Sequence, residues 1–199
     1  MHQFDLDILY FFNRTIASPA LDGFFDILTN VRYWYAVYAI AGLFLIYRYR
    51  FRGVAIVITA IILITATDSL AHYILKPLVD RQRPCSIPPS FSRRGQGVVD
   101  GEHLVSWIRL PSGMRYDESF PSQHALNNFA IAAFFVLLFK RSKWIHSLWF
   151  VALAISLGRL YQGLHYPSDV VGGEVIGIAI GFSFGICFRW LQIRWLQST

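Results

Sequence analysis

Residues 54–75 read VAIVITAIILITATDSLAHYIL, and this stretch decides the fold class. It carries one carboxylate, Asp68, and no Lys or Arg. A hydrocarbon core of about 30 Å takes roughly 20 apolar residues in helix, so the stretch is long enough to cross a bilayer. Lipid offers no partners to the amides of an open strand, so the segment is expected to be helical. Four further runs come near the same length: Val31–Tyr47, Pro121–Phe139, Trp144–Leu160 and Val170–Trp190. The composition agrees. Of 199 residues 55% are hydrophobic and only 15% charged, against about 25% charged in a soluble domain. The reading is one integral-membrane domain, residues 1–199, all-α, with about five transmembrane helices.

The first thirty residues are different. Phe4, Leu6, Ile8, Leu9, Phe11 and Phe12 alternate with Asp5, Asp7, Asn13 and Arg14, too short an apolar run to span. An amphipathic helix lying in the interface fits this pattern. A signal peptide needs a positive start, and this start carries Asp5 and Asp7 instead. The net charge of +6 does not indicate nucleic acid, because the basic residues punctuate apolar runs and form no stripe. Cys85 and Cys187 lie far apart, which calls for neither a disulfide framework nor a zinc site.

Short-loop charge orients the bundle. Arg48, Arg50 and Arg52, then Lys140, Arg141 and Lys143, then Arg189 and Arg194 fall on one side, which the positive-inside rule makes cytoplasmic. Three polar clusters then meet at the opposite, outer face. They are Lys76 with Arg83 and Pro84; Pro121, Ser122, Gln123 and His124; and Arg159 with His165 and Asp169. Lys76, Arg83 and Arg159 supply three positive charges, two of them guanidinium forks suited to phosphate oxygens. Ser122 and Gln123 lie at an expected helix start, where unsatisfied N–H groups favour an anion. Two histidines can serve as nucleophile and proton donor. Asp169, four residues after His165, is placed to accept its ring N–H. Such a set describes phosphoryl transfer, with no cofactor and no metal called for.

These residues resemble the signature of the type 2 phosphatidic acid phosphatase superfamily. That signature is Lys, six residues, Arg-Pro; then Pro-Ser-Gly-His; then Ser-Arg, five residues, His, three residues, Asp. Lys76, Arg83 and Pro84, then Pro121, Ser122 and His124, then Arg159, His165 and Asp169 match it in order and spacing. Gln123 stands where the family has Gly, and Gly158 where it has Ser. The resemblance implies that His165 attacks phosphorus to give a phosphohistidine, with Asp169 holding its imidazole, while His124 protonates the leaving oxygen. It implies that Lys76, Arg83, Arg159, Ser122 and Gln123 bind the phosphate.

Asp68, His72 and Lys76 recur at four-residue steps along one helix face, and two readings of Asp68 stand open: a functional one, as for any ionisable residue inside a span, and a structural one, pairing with Lys76 or with a neighbouring helix. Asn127 and Asn128 are expected to bond between helices. The outer segment 85–120 carries Arg109 and Arg115 beside Trp107, Ile108 and Leu110, a set suited to head-group contact. Among the substrates that the resemblance implies, a second phosphate held there favours a polyprenyl diphosphate such as undecaprenyl diphosphate. Phosphatidylglycerophosphate, phosphatidic acid, lipid A phosphate and a lipid phosphotransferase are the alternatives. The expected location is a bacterial inner or plasma membrane with the site facing the periplasm or exterior. A non-catalytic lipid- or anion-binding membrane protein is the competing class, and it predicts tolerance of His165→Asn.

Overall fold

A computed structural model describes residues 3–86 and 118–198. Among them there are helices and turns and no strand. In chain order these are α1 (Gln3–Tyr10), α2 (Pro19–Thr29), α3 (Tyr35–Tyr49), α4 (Phe51–Leu70), α5 (Lys76–Val79), α6 (Gln123–Leu138), α7 (Ser147–Tyr161) and α8 (Pro167–Ser198). A π-turn, Ala71–Leu75, joins α4 to α5.

Phe51–Val79, Lys143–Tyr161 and Pro167–Arg194 are long and apolar enough to cross a membrane. The other two expected spans are shorter: α3 has 15 residues and α6 has 16. The difference has a physical basis in α6. It is the central helix, with Ala125, Leu126, Phe129, Ala130, Ala132, Ala133 and Phe134 all buried against its neighbours. The outer helices instead present large apolar side chains outward, Ile40, Leu43, Ile61 and Val175 among them. An outward apolar surface around a polar-lined interior is what a lipid solvent selects.

The closest helix pair is α6 with α8. Gly173, Gly177 and Gly181 recur every four residues on one face of α8. A β-carbon at Gly173 would sit 2.6 Å from the Ser122 carbonyl oxygen, and at Gly177 and Gly181 it would run into those of Leu126 and Ala130. Backbones in lipid approach this closely only across small residues. The approach sets the start of α6 beside the first turn of α8, where the Ser122 amide donates to the Asp169 carbonyl at 3.0 Å. Further along, Ile56 and Leu63 of α4 pack with Ala130 and Phe134 of α6 and Phe188 of α8.

The N-terminal segment, expected as one amphipathic helix, is two. Ser18 caps α2 through its hydroxyl, with Pro19 following, and this breaks the run. Its apolar side meets protein. Leu6 and Leu9 are buried, and Ile8 and Phe12 pack on Ala125, Leu160 and Val170. Phe25 of α2 lies 4.7 Å, ring to ring, from Tyr161 at the end of α7.

Candidate active site

The site forms where α4 and α7 end and α6 and α8 begin. The turn after α7 aims its key residue. Gly163, at φ 67°, takes a left-handed conformation that side chains resist, and the Leu164 amide returns to the Arg159 carbonyl at 3.2 Å. The chain therefore doubles back and buries His165.

The tautomer of His165 follows from its partners. Nδ1 lies 2.8 Å from the Ser119 carbonyl oxygen, which only accepts; Nε2 lies 2.9 Å from Arg83 Nη1, which only donates. The proton is on Nδ1 and the lone pair on Nε2. Burial, with Arg83, Arg159 and His124 nearby, holds the ring's pKa well below 6.5, so at neutral pH it is uncharged. Arg83 is itself fixed by a hydrogen bond to the Leu164 carbonyl at 3.0 Å.

Asp169 is not the hydrogen-bond acceptor for His165 that the sequence suggests. Its Oδ2 is 3.9 Å from Nδ1, beyond hydrogen-bond reach, because that oxygen is taken by the Ser119 hydroxyl at 2.5 Å and the Tyr166 amide at 2.8 Å. Ser119 stands between the two, binding Asp169 with its hydroxyl and His165 with its carbonyl. The other carboxylate oxygen binds Arg81 Nη1 at 2.6 Å. Arg81 also reaches Asp5 of α1 at 2.8 Å and lies 4.1 Å above the Tyr166 ring. Asp5 in turn accepts from the Ser168 amide at 3.0 Å and its hydroxyl at 2.7 Å. Burial alone would raise the Asp5 pKa, but the bonds from Ser168 and Arg81 more than reverse this and hold it below 3.8. Arg81 and Asp5 were visible in the sequence only as unassigned charges, and Ser119 carried no signal at all.

His124 lies in the first turn of α6, with Nε2 3.2 Å from the Thr29 carbonyl oxygen. Arg159 is buried and donates to Gln162 Oε1 at 2.9 Å, while Gln162 Nε2 donates to the Thr29 hydroxyl at 2.8 Å. Lys76 and Ser122 are buried too, and the Ser122 hydroxyl has no hydrogen-bond partner among the described residues. Pro121, expected in the first turn of α6, precedes it: the helix starts at Gln123 with Ser122 as its flanking residue.

The Gln123 side chain bonds to the neighbouring helix α4. Its amide donates to Asp68 at 2.5 Å, beside Asn127, which donates to the same oxygen at 2.6 Å and accepts from Thr67 at 2.8 Å. Of the partners expected for Asp68, the neighbouring helix is the one observed. Asn127 bonds between helices as expected, whereas Asn128 returns to the His124 carbonyl within α6. Arg109 and Arg115 lie outside the described residues.

Three cations, a neutral imidazole with its lone pair exposed to one of them, a buried unpartnered hydroxyl and a second imidazole suit transfer of a phosphoryl group. Known proteins agree with that chemistry. The chain is 36% identical over 197 residues, 98% of its length and 80% of the relative's, to a Lipid A 4'-phosphatase of Bacteroides thetaiotaomicron. It is 40% identical over 68 residues, 34% of each chain, to the Undecaprenyl-diphosphatase BcrC of Bacillus subtilis. The fold matches the crystal structure of Aquifex aeolicus LpxE at a TM-score of 0.66, with 24% identity, covering 92% of this chain and 95% of that one. Residues 54–195 match the model of the PAP2 superfamily, and the chain belongs to that family.

Proposed function

We propose that the protein hydrolyses a lipid phosphate at the external membrane–water boundary, through a phosphohistidine on His165 and without a metal, and that its substrate is a phosphomonoester of the lipid A class. The observation that carries the reading is the His165 ring: neutral, with Nδ1 tied to a carbonyl and Nε2 beside Arg83. Nε2 attacks phosphorus as the bond to the lipid oxygen breaks, and His124 gives that oxygen a proton. Arg83 exchanges its bond to Nε2 for one to a phosphate oxygen. The charge that appears on the ring is offset by the Ser119 carbonyl and by Asp169 at 3.9 Å. Water, giving its proton back to His124, then cleaves the phosphorus–nitrogen bond and releases inorganic phosphate. Lys76, Arg83, Arg159, the Ser122 hydroxyl and the first amides of α6 receive the equatorial oxygens, which carry the transition-state charge.

Similarity along 98% of the chain to a lipid A phosphatase weighs more than similarity along 34% to an undecaprenyl-diphosphatase. It supports a lipid A phosphomonoester over the polyprenyl diphosphate that the basic outer segment favours. On this reading the N-terminal helices, which contact the site through Asp5 and Thr29, lie at its lipid side, and the site faces the periplasm of a bacterial inner membrane. Phosphate release from a panel of lipid phosphates, with chelator present, tests class, metal need and substrate together. Lipid A phosphate turning over fastest supports the reading. Faster turnover of undecaprenyl diphosphate would restore the other substrate, and a strict metal requirement would end the mechanism.

A further inference from the structure

We propose that Thr29, the last residue of α2, is a positioning residue for both the proton-transferring histidine and the Arg159 guanidinium. This rests on the phosphatase reading above and goes beyond it, because Thr29 lies outside all three motifs. Its two functional groups act on two different catalytic parts. The backbone carbonyl takes Nε2 of His124 at 3.2 Å. A carbonyl only accepts, so the neutral ring carries its proton on Nε2 and leaves Nδ1 as the nitrogen that exchanges a proton with substrate and water.

The hydroxyl works through Gln162. It spends its single proton on the Phe25 carbonyl at 2.8 Å, so only lone pairs remain for Gln162. Gln162 must therefore turn its NH2 toward Thr29, at 2.8 Å, and its oxygen toward Arg159 Nη1, at 2.9 Å. Thr29, Gln162 and Arg159 are all buried, so water does not correct a misdirected amide. Without the hydroxyl the amide is free to flip and set NH2 against the guanidinium.

The reach of α2 into the site depends on residue 158 being glycine. A β-carbon there would stand 2.6 Å from Thr29 Cγ2 and 3.0 Å from Phe25 Cδ1. A side chain at 158 and a threonine methyl at 29 exclude each other, which gives the test its internal control.

The experiment measures kcat and KM on a lipid phosphate, and vanadate affinity by calorimetry, on purified full-length variants with melting temperatures recorded. Thr29→Val keeps the shape and loses the hydroxyl. It should lower kcat and weaken vanadate binding each by about tenfold, with KM within about twofold, because vanadate mimics the transition state that Arg159 serves. Thr29→Ser should restore both to within about twofold of wild type. Gln162→Met should reproduce the Thr29→Val loss without touching α2. Gly158→Ser should lose activity, and adding Thr29→Ser, which deletes the obstructing methyl, should recover part of it. Wild-type kcat and vanadate affinity in Thr29→Val, alongside an active wild type, would overturn the inference and leave the phosphatase reading standing; so would a lower melting temperature with unchanged kcat per folded molecule. A wild-type protein that neither releases phosphate nor binds vanadate would overturn both.

Discussion

The two histidines sit in contrasting surroundings. His165 is buried, and residues in or beside all three motifs grip it: Arg83 on one nitrogen, the Ser119 carbonyl on the other, with Asp169 and Arg81 behind. His124 is half-buried and is held by the backbone of Thr29, a residue of the N-terminal segment. His165 is bonded at both ring nitrogens, whereas His124 is more exposed and meets the backbone of the N-terminal segment. On the function proposed above, the contrast teaches that the N-terminal segment, for all its resemblance to a surface anchor, helps to hold the residue that trades protons with substrate and water.

Leaving-group dependence breaks the comparison most sharply. With an alkyl lipid phosphate, His124→Ala should cost about 10²–10⁴ in turnover, the usual range for a general acid. With an aryl phosphate, whose leaving group needs no proton, the same variant should give a rapid burst and then stall for want of a base. His165→Ala should give no burst with either substrate. Burst kinetics on stopped flow distinguish the two.

The cations come next. Arg83→Ala and Arg159→Ala should each lower kcat by about 10²–10³, by analogy with deleting one preorganised oxyanion donor. Only Arg83→Ala should also unlock the His165 ring, visible as a changed imidazole resonance.

Arg81 and Asp5 sharpen the picture on the nucleophile side. Arg81→Ala leaves Asp169 one donor short in a buried place, and such losses cost about 1–3 kcal/mol. Loss of turnover by roughly tenfold is the expected reading. Asp5→Asn, one step further out, should cost only a few-fold, and the pair should be non-additive in a double-mutant cycle.

The smallest effect is in the pH profile. Because burial and the neighbouring cations depress the His165 pKa below 6.5, the folded ring stays neutral where the unfolded one takes up a proton. Stability should therefore fall as pH drops below about 6.5, since the unfolded state then binds more protons. In thermal melts, His165→Asn should flatten that slope, whereas a His124 substitution should reduce the contribution of His165 only in part, because burial and the two arginines remain.

Much of this was legible in the sequence, and unevenly. Residues 54–75 reveal a membrane helix because lipid tolerates few alternatives to an apolar run of that length. Arg83, Ser122, His124, Arg159, His165 and Asp169 come together because topology brings alternate helix ends to one face. The supports are a different matter. Ser119 acts on His165 through its backbone carbonyl, and a carbonyl has no sequence signature. Asp5 and Arg81 are 76 residues apart, so their pairing depends on how the N-terminal segment docks. The Asp169–His165 spacing looks like a direct pair, but the extra donors around Asp169 pull its oxygen out of range. The side-chain partner of Gln123 was hidden for a similar reason: Asp68 lies on another helix, and only the packing brings the two together.

Trapping the covalent intermediate tests the central claim most directly. Purified protein turning over a radiolabelled lipid phosphate, quenched in alkali, should carry base-stable, acid-labile label on the peptide that contains His165, and His165→Ala should carry none. Label on another residue, or wild-type turnover with no protein-bound label even when His124→Ala blocks hydrolysis, would contradict the account.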